Sequence, residues 1–281
     1  MNHENNDSLQ KVLSPFIENC NSIGFVPTMG ALHKGHLSLV EQAVKENDCV
    51  VVSIFVNPTQ FNKAQDLEKY PRTLDNDIAL LKSVKGNVFV YSPQASEIYN
   101  KNIASKSYDF FGIENEMEGK HRPGHFDGVG TVLDIFFRIV KPNKAYFGEK
   151  DFQQLQIVKK LVEIEKLPVE IIGCPIVRET SGLAMSSRNK RLTKKELIEA
   201  ILINKTLISV QRKFNHLSIS EINKFVENEF RKNNSLTLEY FEIADVATLK
   251  TAKSKKENTT YRAFIASFIA GVRLIDNIAL N

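Results

Sequence analysis

Two histidines, His33 and His36, separated by Lys34 and Gly35, follow an apolar stretch at 23–26 and the turn Pro27-Thr28-Met29-Gly30-Ala31-Leu32. Leu37, Leu39, Val40, Ala43 and Val44 then supply the apolar side of a helix. Three apart on a first helical turn, the two imidazoles share a face. They stand where unpaired N–H groups and the positive end of the helix dipole draw anions. Gly35 lets a ligand come close to the backbone. The chemistry this suits is the holding of a polyphosphate, so a nucleotide is the first candidate ligand.

Four further groups carry chemistry of a matching kind. Phe55-Val56-Asn57-Pro58-Thr59-Gln60-Phe61 closes a strand at Pro58, leaving the amides of Asn57 and Gln60 at its carboxyl end. Amides both donate and accept, which suits a ligand with hydroxyls and a carboxylate. In His121-Arg122-Pro123-Gly124-His125-Phe126, Arg122 and His125 could meet phosphate; a plain surface loop is the equal alternative. Phe147-Gly148-Glu149-Lys150-Asp151-Phe152-Gln153-Gln154-Leu155 puts Lys150 at a strand-to-helix junction, with Gln154 one turn further on. Asp151 either caps that helix or takes a ribose hydroxyl. Gly182-Leu183-Ala184-Met185-Ser186-Ser187-Arg188-Asn189 offers two hydroxyls and a cation in a turn, able to close on a departing polyphosphate. There is no Ser/His/Asp or Cys/His set and no Walker loop, so attack by a substrate on phosphorus is favoured over covalent catalysis by the protein.

The elements that must position these groups alternate. Strands are expected at 23–26, 49–56, 88–91, 145–147 and 169–172, and helices at 36–47, 74–84, 128–140 and 151–166. The strands are continuous apolar runs, as in a parallel sheet covered on both faces, which predicts a doubly wound α/β fold with ligands beyond the carboxyl ends of the strands. Past Val177 the pattern changes to helices at 194–214 and 220–232, with Ser220 as the N-cap of the second, then strands at 236–244, 262–270 and 272–275. This predicts a first domain over 1–177 and a smaller α+β domain with an antiparallel sheet over 178–281.

Composition sets bounds on function. A chain of 281 residues has room for a substantial core, and a net charge of +4 suits anionic substrates without arguing for nucleic acid. The basic run from Lys250 to Lys256 is interrupted by Thr251, Ala252 and Ser254 and reads as a solvated loop. Cys20, Cys49 and Cys174 are scattered without metal-ligand spacing, and Cys49 opens an apolar run as a small core residue, which points to a reducing, cytoplasmic setting. No apolar run reaches membrane-spanning length, and the polar stretch from Met1 to Asp7 is not a signal peptide.

Taken in order, the motifs at 26–36, 55–61, 122–126, 147–155 and 185–189, with a closing Arg273-Leu274-Ile275-Asp276-Asn277, resemble the pantothenate synthetase (pantoate–β-alanine ligase) family. The resemblance implies a Rossmann-like nucleotidyltransferase domain, a smaller C-terminal lid domain and a homodimer. It implies ATP with Mg²⁺, pantoate and β-alanine as ligands, pantoyl adenylate as an intermediate, and pyrophosphate and AMP as products. Carried over residue by residue, Met29, Gly30, Ala31, Leu32, His33, Lys34, Gly35 and His36 would hold ATP, His36 being the family's proton donor, although a charged imidazole stabilising phosphate serves equally well. Gly148, Glu149, Lys150 and Asp151 would also contact ATP, the backbone at Val177 would meet adenine, and Met185, Ser186, Ser187 and Arg188 would form the pyrophosphate clamp. Gln60 and Gln154 would bind pantoate, Gln60 also β-alanine. His33, His36, Lys150 and Arg188 form the implied catalytic set, and no side chain is assigned to the metal. The clamp resembles the Lys-Met-Ser-Lys-Ser loop of related adenylating enzymes but lacks both lysines, so Lys150 and Arg188 must supply the charge.

Two stretches depart from the family pattern: Asp134-Ile135-Phe136-Phe137-Arg138, where a Lys-Leu-Phe-Asn type is usual, and Glu179-Thr180-Ser181 before the clamp. Two alternatives remain on sequence grounds. Another His-x-Gly-His nucleotidyltransferase would have less need of Gln60 and Gln154. A nucleotide-sensing module without catalysis is opposed by the intact His33, His36, Lys150 and Arg188.

Overall fold

The computed structural model describes residues 2–61, 67–99 and 102–281; Met1, from the polar N-terminal stretch, lies outside them. Contacts divide the chain into two compact units. The first holds residues 1–114, 118–149 and 154–175, and the second 115–117, 150–153 and 176–281.

The first unit is built on parallel strands β1 (Asn2–His3), β2 (Ile23–Thr28), β3 (Cys49–Ile54), β4 (Val88–Tyr91), β5 (Lys144–Gly148) and β6 (Glu170–Cys174), in the order β1-β4-β3-β2-β5-β6. Strand order reverses between β2 and β5, and that switch point is where open α/β sheets bind ligands. Helices α1 (Asn6–Glu18), α2 (Lys34–Glu46), α3 (Leu74–Leu81), α4 (Ala95–Tyr99), α5 (Met117–His121) and α6 (His125–Val140) alternate with the strands. Helix α7 (Phe152–Ile164) follows β5 through a short 3₁₀ turn at Glu149–Asp151.

Successive strand residues point to opposite faces, which explains the continuous apolar runs. Val26, Val50, Val52 and Val90 meet Leu39, Val40 and Ala43 of α2 and Leu81 of α3 on one face. On the other, Phe136 of α6 lies edge-on to Phe25 and Tyr91, with ring centroids 5.9 Å apart in each pair. Covering a pure parallel sheet on both sides is what makes this fold doubly wound.

In the second unit, β7 (Leu236–Asp245), β8 (Tyr261–Ile269) and β9 (Val272–Ala279) form an antiparallel sheet in that order. Helices α8 (Lys194–Lys213) and α9 (Ile219–Arg231) cover it, with Ile203, Leu207, Val210, Ile222, Val226 and Phe230 buried against Ile243, Ile265 and Leu274. The expected α+β character is observed.

Several boundaries differ from expectation, for identifiable reasons. Strand β1 and helix α1 were not anticipated; β1 is two residues long, and α1 carries Pro15 inside it. Helix α6 begins at His125, because Gly124 caps it in the left-handed region (φ 76°). The cap of α9 is Ser218, not Ser220: Ser218 and Glu221 close a reciprocal capping box two residues earlier. Strand β9 runs to Ala279, so Asp276 and Asn277 lie on it.

Both departures from the family pattern are accommodated locally. Asp134 is buried, but Lys106 (3.0 Å) and Arg138 (2.8 Å) neutralise it. Glu179 lies in a turn closed by hydrogen bonds between its backbone and that of Leu183 and Gly182.

Candidate active site

Helix α2 starts at Lys34, which makes His33 its N-cap, with extended backbone (φ −147°, ψ 175°), and not a member of the first turn. The two histidines cap the helix reciprocally. His33 Nδ1 accepts from the Gly35 N–H (3.1 Å) and His36 Nδ1 accepts from the His33 N–H (3.3 Å), and the rings lie 4.0 Å apart. This is the geometry of a capping box with imidazoles in place of hydroxyl and carboxylate. An Nδ1 that accepts carries no proton, so each neutral ring holds its hydrogen on Nε2. The cap therefore fixes both rings at a helix N-terminus through their Nδ1 atoms.

The loop before them has its own anchor, which the sequence did not reveal. Asp77, buried on α3, accepts from the Ala31 N–H (2.9 Å) and the Leu32 N–H (2.8 Å), and Thr73 Oγ1 donates to the same carboxylate (3.2 Å). Ala31 (φ 52°) and Gly30 (φ 82°) are both left-handed, and a Cβ on Gly30 would stand 3.1 Å from an Asp77 oxygen. Ala31 and Leu32, expected to contact ATP, are buried with their N–H groups donated to Asp77, which shapes the turn. The only available signal was an acidic residue in the first turn of the following helix.

Beyond β3, Asn57 caps the 3₁₀ turn Pro58–Gln60. Its amide donates to Gln60 Oε1 (3.1 Å) and the Gly128 carbonyl (3.0 Å), and its oxygen accepts from the Tyr99 hydroxyl (2.5 Å). Asn57 is 1% exposed, which corrects the expectation that its amide meets a ligand: it orients Gln60 from behind. Gln60 Nε2 lies 3.0 Å from the Met29 sulfur, so the glutamine adjoins the β2 turn. Gly128 permits this packing, since a Cβ there would stand 2.5 Å from the Thr59 carbonyl oxygen.

His125 is likewise corrected. The ring is buried between the Gln60 carbonyl (Nδ1, 3.0 Å) and Arg122 Nη1 (Nε2, 3.0 Å). Because a guanidinium only donates, His125 Nε2 accepts and Nδ1 carries the hydrogen. The ring thus ties Arg122 to the Gln60 turn and has no nitrogen left over for phosphate. Arg122 also lies 3.8 Å from Glu118 and keeps a quarter of its side chain exposed.

Gly148 ends β5, and a Cβ added to it would meet nothing within 4 Å. Glu149 and Gln154 belong to the first unit and are half-buried; Lys150 and Asp151 group with the second. Lys150 Nζ lies 3.6 Å from Asp151 Oδ1, and its side chain is 18% exposed. Asp151 ends the 3₁₀ turn and is exposed. In the second unit the Val177 carbonyl accepts from the Met185 N–H (3.0 Å), and Arg178 pairs with Ala184 in an antiparallel bridge. The chain then enters a 3₁₀ turn, Ser187–Arg191, capped by Ser186, whose Oγ accepts from the Arg188 N–H (3.3 Å). The first unit thus gathers Met29, the two histidines, Gln60 and Arg122 beyond β2 and β3, while the second carries Lys150, Asp151 and the 185–188 turn.

A doubly wound sheet with a histidine-capped helix at its switch point places the chain in the Rossmann-like α/β class. The chain matches the family model described as pantoate-beta-alanine ligase over residues 2–279. It is 52% identical over 278 residues to the pantothenate synthetase of Flavobacterium psychrophilum, covering 99% of both chains. Among solved structures it is similar to pantothenate synthetase from Thermus thermophilus (TM-score 0.89, 36% identity, 99% of each chain). It is also similar to pantoate-beta-alanine ligase from Francisella tularensis complexed with beta-gamma ATP and beta-alanine (TM-score 0.82, 38% identity, 100% of this chain and 97% of that one). The chain belongs to the pantoate–β-alanine ligase family, and is an enzyme.

Proposed function

We propose that this enzyme joins pantoate to β-alanine in two displacements at one site. A pantoate carboxylate oxygen attacks the α-phosphorus of ATP; the bond to the β-phosphate oxygen breaks, and pyrophosphate leaves with the electron pair. The amine of β-alanine then attacks the acyl carbon of pantoyl adenylate, loses a proton, and expels AMP to leave pantothenate.

In the first step negative charge grows on the leaving pyrophosphate. Fixed donors aimed at such charge are the largest usual source of rate enhancement. Their Nδ1 atoms occupied by the cap, His33 and His36 would direct Nε2–H groups at the phosphates, with Met29, Gly30, Lys34 and Gly35 lining the same end of ATP. This favours hydrogen-bond donation by neutral rings over a standing imidazolium, because protonation at Nδ1 would break the cap. Lys150 and Arg188 would add positive charge, Gly148, Glu149 and Asp151 would meet the nucleotide, and Val177 the adenine. Met185, Ser186 and Ser187 complete a clamp carried by the C-terminal domain (178–281), which we take as a lid on the 1–177 domain. Gln60 and Gln154 would hold pantoate, Gln60 also β-alanine, with Arg122 beside Gln60. Mg²⁺ belongs with ATP: imidazole and ammonium donors fit phosphate oxygens better than a hard cation, which the phosphates and water would hold. Bound there, it would neutralise phosphate charge.

The reciprocal His33–His36 cap carries the proposal. Incubation with ATP, Mg²⁺, pantoate and β-alanine, omitting one component at a time, tests it: pantothenate and AMP should form only in the complete mixture. AMP release at full rate without pantoate would refute it. No helix among the described residues is long and apolar enough to cross a membrane; together with the free cysteines, this supports a cytoplasmic enzyme. We further take it to be a homodimer, which light scattering after gel filtration would check.

A further inference from the structure

The closing motif Arg273-Leu274-Ile275-Asp276-Asn277 has no part in the roles above, yet Asp276 and Asn277 are 3% and 2% exposed on β9. Two segments of the second unit converge on them. Asn277 Nδ2 donates to the Lys150 carbonyl (2.9 Å), and Asn277 Oδ1 accepts from Arg262. The Arg262 guanidinium lies 4.0 Å over the ring of Phe152, so the 150–152 segment is gripped on two sides. Asp276 takes Arg178 with both oxygens (2.6 and 3.0 Å) and also accepts from the Asn277 N–H (2.8 Å). Arg178 in turn donates to the Gly182 carbonyl (3.1 Å), closing the 178–184 turn from which the chain enters Met185 and the 185–188 segment.

Resting on the phosphate role proposed above for Lys150, we infer that Asp276 and Asn277 are positioning residues of the adenylation step: Asn277 fixes the backbone from which Lys150 reaches, and Asp276, through Arg178, fixes the turn that delivers Ser186–Arg188. Lysine is a point charge on a flexible four-carbon stem, so its aim depends on where its backbone is held. Arg178 and Asp276 form a bidentate fork, which fixes orientation as well as distance. Because the two carriers are adjacent residues, one strand sets both cationic arms in register. An error of about 1 Å in such a frame is worth about 10²-fold in rate.

Double-mutant cycles separate positioning from bulk stability. Asn277→Asp keeps the acceptor for Arg262 and removes the donor to Lys150. It should slow pantoate-dependent pyrophosphate release about 10–100-fold in otherwise unaltered enzyme, and by less than about twofold in the Lys150→Ala background. Arg178→Lys, which keeps charge and loses the fork, should behave likewise against Arg188→Ala. Equal fold-losses in both backgrounds would overturn the inference, as would Asn277→Asp at the unaltered rate. Should Asn277→Asp fail to fold, Asn277→Ala enters the same cycle and is read by the same rule. A Lys150→Ala enzyme that releases pyrophosphate normally would instead refute the phosphate role of Lys150, an outcome distinct from additivity.

Discussion

One buried carboxylate, Asp77, shapes the whole turn before the paired histidines. Asp77→Asn keeps one oxygen for either Ala31 or Leu32 and turns an NH₂ toward the other amide. It also removes charge from the surviving bonds. A hydrogen bond to a charged group contributes about 1.5–3 kcal/mol, and an unsatisfied buried donor costs about 1–3 kcal/mol, so the combined loss should be about 2.5–6 kcal/mol. At about 2–4 °C per kcal/mol for a domain of this size, Tm should fall by about 5–24 °C. Thermal melts followed by circular dichroism read this, and Asp75→Asn, exposed in the same helical turn, should stay within about 0.5 kcal/mol of the parent. The variant should also lose turnover, because the His33 cap is reached through that turn. A melting temperature within about 2 °C of the parent would refute the assignment of Asp77 as the anchor.

His36→Gln keeps an acceptor at the third helical position and removes the imidazole, so it should hold stability within about 1 kcal/mol while adenylation falls about 10²-fold; parallel losses of stability and turnover would contradict separate roles for Nδ1 and Nε2. Gly128→Ala forces a Cβ toward the Thr59 carbonyl and should cost about 1–3 kcal/mol. Its kinetic effect should fall on pantoate through Gln60, so a raised KM for ATP alone would count against it. Burial pushes the Cys49 thiol up to about 12 and the Cys174 thiol up to about 11, leaving about one part in 10³ or less as thiolate at pH 8. Iodoacetamide at pH 8 should therefore label exposed Cys20 and spare both others, as mass spectrometry of the native protein would show. These thiols, with Tyr91 and Tyr146 also raised by burial, keep their protons longer in the folded than in the unfolded chain. Their contribution to stability is complete below about pH 8.5 and is lost as pH rises through about 9–12, so urea midpoints should be flat near neutrality and fall in that range.

What the sequence disclosed, and what it hid, follows from the range of the interactions involved. Strands β2–β6 were legible because a parallel sheet covered on both faces writes itself as apolar runs, such as Val50-Val51-Val52. The histidine pair was legible from its three-residue spacing at a helix start, whereas its role as a reciprocal cap was not, because a shared face on the first turn accounts for the same spacing. Asp77 was not, because its partners lie 45 and 46 residues away and an acidic residue at a helix start already has a local explanation. Asn57 and His125 looked like ligand contacts by type and position; only coordinates show their polar atoms turned inward on Gln60 and Arg122. Ser218 and Glu221 spell the Ser-x-x-Glu signature of the box, but Ser220 stands nearer the apolar pattern of Ile222 and Phe225 and masks it. The tie from Asn277 to Lys150 spans 127 residues and carries no local signature.

The central claim is that the first displacement is complete before the amine takes part. Exchange of labelled pyrophosphate into ATP, measured with Mg²⁺ and without β-alanine, tests it most directly. Exchange should be strong with pantoate present and absent without it, and should fall about 10²-fold in His36→Gln. Exchange that proceeds without pantoate, or that needs β-alanine in order to start, would contradict the account.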